Sequence, residues 1–532
     1  MNLRSMIRTR LPEIALLASL IPVSTLTAQE SPDPLSTITE AELRDHIFYL
    51  ASDSLEGRDS GSKGYMLAAQ YSAIHMHQAG LVPMFTDSSG ASTYYQQIQF
   101  GSSTINPEST MRVRAGGSEI IYHFGQEFTA QEIFASGGDL VIEGNPVFLG
   151  FGIEEPDLGW NDYEGLDVAG KIAIMVSGAP TRDDEPVLPE EKHQIYSSLQ
   201  RSANILLQPA LNHKASTIIV IPDSGTASFW GMITSQMSTP SVRPISGGVP
   251  EGGSAPALSM LVLLKPDSAV ELFAGTGLNP VTATGTYTPG VLEDVHVSLS
   301  MEHSVDVSFS SPNVVGLLAG SDPELKDEYI VVTAHLDHLG VRNGEVFNGA
   351  DDNASGCAAV LEAAEAAAMT PVKRSIIFVL LTSEEDGLQG SMYFADNPPV
   401  PIGSIVLNIN LDMVGRNSPD FPEYLLALAS ENRRPQLVEF ITEVNDSGVG
   451  ARLDMRLNEG EDPHSHVQRS DQLAFMQKGI PAILLTRGFM GPDYHESSDD
   501  PETINYDKVL QAARLTFALA VEAANREVLF ER

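Results

Sequence analysis

The last third of the chain alternates short apolar runs with longer amphipathic stretches. Residues 329–334 (YIVVTA), 376–382 (IIFVLLT), 405–411 (IVLNINL) and 482–486 are apolar on both faces and bounded by polar or turn residues. Such runs predict strands buried between two helical layers. Between and after them, apolar residues at helical spacing predict helices over 356–369, 434–445 and 507–526. The alternation predicts an α/β domain of three layers, αβα. Closer to the N-terminus, Leu43, Ile47 and Leu50, then Met66, Ala69, Tyr71 and Ile74, predict two helices around a polar turn, Leu55-Glu56-Gly57-Arg58-Asp59. From 129 the character changes. Short β-rich runs at 140–142, 171–176 and 216–221, separated by loops rich in Gly, Pro and Asp, predict an inserted, mostly β module over 129–302. The Pro-, Gly- and Ser-rich stretch 238–256 predicts an exposed loop.

A length of 532 residues exceeds one ordinary core and suggests about three domain-sized units. The expected divisions are a signal peptide at 1–28, a discontinuous enzymatic domain at 34–128 and 303–532, and the insert at 129–302. The signal expectation rests on Arg4, Arg8 and Arg10, a short apolar run from Ile14 to Val23, and small residues leading to a cleavage after Ala28. It implies a periplasmic or secreted protein. No later segment offers about 20 uninterrupted apolar residues, so no membrane span is expected. Lys and Arg number 31 against 70 Asp and Glu, a net charge of -39, which repels phosphate backbones and argues against nucleic acid as a partner. The single cysteine, Cys357, excludes an intrachain disulfide and reads as a small buried hydrophobe.

Functional groups in such sheets gather beyond the carboxyl ends of the strands. The first run is followed by His335-Leu336-Asp337-His338, the second by Glu384-Glu385-Asp386 after Ser383, and the third by Asp412. Gly349-Ala350-Asp351-Asp352-Asn353-Ala354-Ser355-Gly356 opens a helix, and Tyr494-His495-Glu496-Ser497-Ser498-Asp499 follows the fourth run. Imidazole and carboxylate suit zinc where no thiolate is at hand. A two-metal hydrolase needs one shared carboxylate between ions about 3.5–4 Å apart, and a His and a carboxylate for each. The inventory meets that count. Glu384 is left beside a ligand position, able to take a proton from a metal-bound water. Asp337 suits the fixing of the His335 tautomer. His338 reads as an ordinary loop histidine, His464 and His466 as solvated or near substrate, and Tyr494 as either packing or facing substrate.

HLDH, GADDNASG, TSEEDGLQGS, NLDMVG and YHESSDD, in this order, resemble the zinc aminopeptidases whose relatives include glutamate carboxypeptidase and glutaminyl cyclase. LASDSLEGRDSGSKGY resembles their helical N-terminal entry, and VFLGFGIEEPDLGWNDYEGLDVAGKIAIMVSGAP with KASTIIVI looks like a protease-associated domain. The resemblance implies a mixed central sheet and two zinc ions. His335 and Asp412 would hold one, Glu385 and His495 the other, and Asp351 would bridge them. It implies Glu384 as general base, a cis Asp351–Asp352 peptide, Asp337 orienting His335, and Asp499 holding the His495 loop. Gln472 stands where relatives often have His. The expected activity is release of N-terminal residues from peptides. The alternatives are a carboxypeptidase or dipeptidase on the same scaffold, using Arg416, Arg469 or Arg487 for the substrate carboxylate, a glutaminyl cyclase, or an inactive receptor-like binding protein.

Overall fold

A computed structural model describes residues 33–530 except 133–138, 184, 198, 238–240, 245–259, 279–285, 343, 419–423, 460–465 and 489–493. The signal expectation at 1–28 and most of the 238–256 loop lie outside the described residues. No helix among those described is long and apolar enough to cross a membrane.

The four apolar runs are strands, Tyr329–His335, Ser375–Leu381, Ile405–Leu411 and Ala482–Thr486, at the centre of a ten-stranded mixed sheet. They are parallel to one another, with Tyr329–His335 flanked by Ser375–Leu381 on one side and Ile405–Leu411 on the other. The chain therefore leaves the central strand first to one side and then to the other, which opens a crevice beyond its carboxyl end. Antiparallel strands Tyr95–Ile105, His303–Leu318 and Leu425–Ala429 extend the sheet outward.

Alternation along each strand feeds two cores. Ile330, Val332 and Ala334 point, with Phe378, Leu407 and Ile483, into the core under the helices Glu40–Leu50, Lys63–Gln78, Gly356–Ala368, Arg434–Val444 and Tyr506–Asn525. Val331, Ile377 and Val379 point the other way, onto Phe394 and Phe475 of the short helices Gln389–Asp396 and Gln472–Gln477. Both faces of the sheet are thus covered, which is why these strands read as continuous apolar runs. Cys357 lies fully buried at the start of its helix, its thiol donating to the His335 carbonyl at 2.9 Å and pushed up to about 12 by burial.

The insert pairs a four-stranded with a six-stranded sheet. Met111, Val113, Val297 and Leu299 of the first pack against Ile174, Ile219 and Val262 of the second. Ala173, Met175 and Ile218, on the outer face, meet Leu206, Ala210 and Trp230 from helices. Its beginning differs from the expected 129. Strands Thr110–Ala115 and Ser118–His123 belong to the four-stranded sheet, the first pairing directly with His296–Met301. The junction is closed by the Asn106 N–H, which donates to the Glu302 carbonyl at 2.7 Å where the long strands leave the large sheet. The pairing partner of 110–115 lies about 185 residues further on, so local pattern alone could not assign it.

Candidate metal centre

Histidines and carboxylates meet beyond the four parallel strand ends, on turns of unusual backbone. Ser383, Met413 and His495 all take positive φ (54°, 55° and 57°) without being glycine. Such residues cost about 1–3 kcal/mol each and persist where the surroundings hold them. Here the Ser383 N–H donates to Ser60 Oγ and the Met413 N–H to Asn353 Oδ1. Asn353 also donates to the Leu411 carbonyl at 2.9 Å, tying the 350–355 turn to the strand end that carries Asp412.

The donor atoms form two groups that share one residue. His335 Nε2 lies 3.2 Å from both Asp412 Oδ1 and Asp352 Oδ1. Asp352 Oδ2 lies 3.4 Å from His495 Nε2 and 3.9 Å from His338 Nδ1. Glu385 completes this second group, with Oε2 3.0 Å from His495 Nε2 and Oε1 2.7 Å from His338 Nδ1. His335, His338, Asp352 and Asp412 are buried, whereas the His495 side chain is 34% exposed and marks the open side. Tyr494 stacks on the His495 ring at 3.8 Å.

Two expectations shift on this geometry. The shared carboxylate is Asp352, not Asp351. Asp351 turns away, its Oδ1 accepting from the Gly415 N–H at 2.6 Å and its Oδ2 ion-paired with the Nε of Arg487. Asp499 sets this twist by accepting from the N–H groups of both Asp351 and Asp352, each at 3.0 Å. The cis peptide likewise lies one residue on, at Asp352–Asn353. The second shift concerns Asp337. His335 Nδ1 faces the carbonyl of Asp337 at 3.2 Å, not its carboxylate, which instead accepts from the N–H groups of Glu384 and Glu385 at 3.1 and 3.2 Å. One residue thus orients the histidine through its main chain and the glutamate loop through its side chain.

His338 belongs to the cluster, against its sequence reading; its place three residues after His335, in the same turn off a strand, was the available signal. Gln472 is fully buried, accepting from Asn410 Nδ2 at 2.8 Å and donating to the Val467 carbonyl at 2.9 Å. Of the three arginines considered for a substrate carboxylate, Arg487 is buried against Asp351, and Arg416 lies 3.7 Å from Asp499. His466 is buried, and His464 lies outside the described residues.

Burial is the largest influence on His335, Asp352, Glu384 and Asp499, and the neighbours decide the outcome. His335 is held well above the ordinary histidine range, since Asp412, Glu384 and Asp352 outweigh its burial. Burial would raise Asp352, but His335 and His495 hold it well below the carboxylate range. Glu384 goes the other way, pushed well up by burial and by Glu385 and Asp412 against the pull of His335. Asp499, which burial and Asp351 push up, sits at about 7. Among the described residues, the close ion-pair partners of Asp352, Glu385 and Asp412 are histidines. Buried carboxylates in this number call for a cation. Three or four N and O donors around each side of one shared carboxylate, with no thiolate facing them, fit a divalent ion such as zinc.

The rim is stapled by Arg58, from the Gly-marked turn Leu55–Asp59. Its guanidinium is fully buried and donates to the carbonyls of Leu336 (2.8 Å), Leu50 (2.5 Å), Asn348 (2.7 Å) and Gly349 (3.0 Å). It joins the loop after His335 to the loop before Asp352. Arg58→Ala removes the guanidinium donor from the carbonyls of Leu336, Leu50 and Asn348, while that of Gly349 keeps the Ala354 N–H, at a cost of at least about 3 kcal/mol. A thermal unfolding midpoint clearly below wild type is the expected result; an unchanged midpoint would show the staple to be dispensable.

A mixed α/β sheet with such a cluster beyond its parallel strands is the build of a metal-dependent hydrolase domain. Residues 313–520 match the profile described as Peptidase family M28. Aminopeptidase YwaD of Bacillus subtilis (strain 168) is 26% identical over 224 residues, covering 41% of this chain and 46% of the relative. A glutaminyl-peptide cyclotransferase of Boiga dendrophila is 26% identical over 236 residues, 36% of this chain and 63% of the relative. Among solved structures, an aminopeptidase from Aneurinibacillus sp. strain AM-1 aligns over 94% of this chain and 97% of its own, at 18% identity and a TM-score of 0.49. The chain spans about half the length of the curated relatives it matches, at 46%, 56% and 44% for the first three.

Proposed function

We propose that this protein is an exported dinuclear zinc exopeptidase that releases residues from the N-terminus of peptides. The observation that carries the reading is Asp352, with one oxygen toward His335 and Asp412 and the other toward Glu385 and His495. His335, Asp352 and Asp412 would hold one zinc, and Asp352, Glu385 and His495 the other. Bound zinc supplies a polarised scissile carbonyl and a more acidic attacking water. Glu384 would be the base that takes a proton from the attacking water and returns it to the leaving amine. Asp337 keeps Glu384 in reach by holding the N–H groups of residues 384 and 385. Export is read from residues 1–28, and the module at about 106–302 is taken as a protease-associated insert flanking the cleft.

An aminopeptidase is favoured over a carboxypeptidase because two of the three candidate arginines face buried carboxylates, Arg487 toward Asp351 and Arg416 toward Asp499, while the carboxylates of the donor cluster suit a substrate ammonium; Arg469, near Tyr494, is the cation a carboxypeptidase would have to use. The zinc-loaded protein should hydrolyse aminoacyl amides and free-amine peptides and spare the same peptides once N-acetylated. Cleavage confined to the acetylated series would overturn the assignment of the terminus.

A further inference from the structure

We propose that His338 is a fourth protein donor at the position formed by Asp352, Glu385 and His495, so that the two ion positions are unequal. One then has four protein donors, and the other, at His335, Asp352 and Asp412, has three. The inference rests on the dinuclear reading above.

Three observations carry it. His338 Nδ1, Asp352 and Glu385 present donor atoms to a common point, and the His338 ring meets the His495 ring edge-on at 5.9 Å and 71°. The ring is also clamped. A Cβ on Gly349, whose φ is +57°, would lie 2.5 Å from His338 Cδ2 and 2.6 Å from Cγ. The His338 N–H meanwhile donates to the Arg58 carbonyl at 3.2 Å, so neither ring nor backbone can swing away. Finally, Nε2 is buried with no hydrogen-bond partner among the described residues. A histidine kept for packing satisfies both nitrogens; this one is held through the nitrogen that faces the carboxylates.

Four protein donors close a zinc position, whereas three leave a place for water or substrate. The four-donor ion is therefore retained and the three-donor ion exchanges. The zinc-loaded full chain should lose its ions to a weak chelator in two separate steps, read as metal content after dialysis. In His338→Gln the tighter step should move at least about tenfold toward release. Independently, the cobalt-substituted wild type should show three exchangeable, paramagnetically shifted imidazole N–H resonances, from His335, His338 and His495. Two such resonances, or a His338→Gln variant that keeps its tighter ion as firmly as wild type, would overturn the proposal. If the variant does not fold, the wild-type spectrum decides alone. A wild type that binds fewer than two ions instead sinks the dinuclear reading, and this inference with it, before any substitution is made.

Discussion

Glu384→Gln should hold its full complement of zinc and hydrolyse peptides at least about 10²–10⁴-fold more slowly than wild type. The substitution keeps the side-chain volume and removes only the capacity to carry a proton. The metal donors should survive it because the glutamate loop is held by its backbone: the N–H groups of 384 and 385 both donate to Asp337, whichever side chain follows. Glu385 keeps its contacts with His338 and His495 for the same reason. Metal analysis beside single-turnover rates separates the two roles. Undiminished turnover in this variant would remove Glu384 from the mechanism, and lost zinc would make it a ligand instead of a base.

The aspartate doublet gives the second large effect, and its two members should fail differently. Asp352→Asn removes the one carboxylate with an oxygen in both donor groups, so both ions and all activity should be lost while the fold remains. Asp351→Asn breaks the ion pair with the fully buried Arg487 from one side, a change that costs about 3–5 kcal/mol in a buried pair. Its thermal midpoint should fall sharply, and the protein that stays folded should still bind zinc. Zinc content and thermal unfolding, measured on both variants, check this. The opposite pattern would return the shared role to Asp351.

That contrast also shows where sequence reading reaches its limit. The strands bearing His335, Asp412 and the two glutamates were legible because each is buried on both faces and ends at a polar residue. The helices following them were legible from apolar spacing. Which of two adjacent aspartates faces the histidines was not, since both have the same chemistry and the turn is irregular, with Asp352 and Asn353 at φ −107° and −132°. Their directions are set by Asp499 and Arg487, some 150 and 135 residues away in sequence. Asp337 was legible as a positioning residue, but its division of labour between carbonyl and carboxylate depends on how closely the loops after His335 and Ser383 approach. His338 was discounted because a single loop histidine has no periodic pattern to mark it. Arg58 lay in a turn that sequence marks only as polar, and four carbonyls from three segments take it inside. Strands 110–115 and 118–123 alternate as any half-buried strand does, so only their pairing assigned them to the insert.

One carboxylate, Asp352, would stand between the two zinc ions. Diffraction from zinc-soaked crystals, collected on both sides of the zinc absorption edge, tests it most directly. Two anomalous peaks per chain are expected, one among His335, Asp352 and Asp412 and one among Asp352, Glu385, His495 and His338. A single peak, or a pair flanking Asp351, would contradict it.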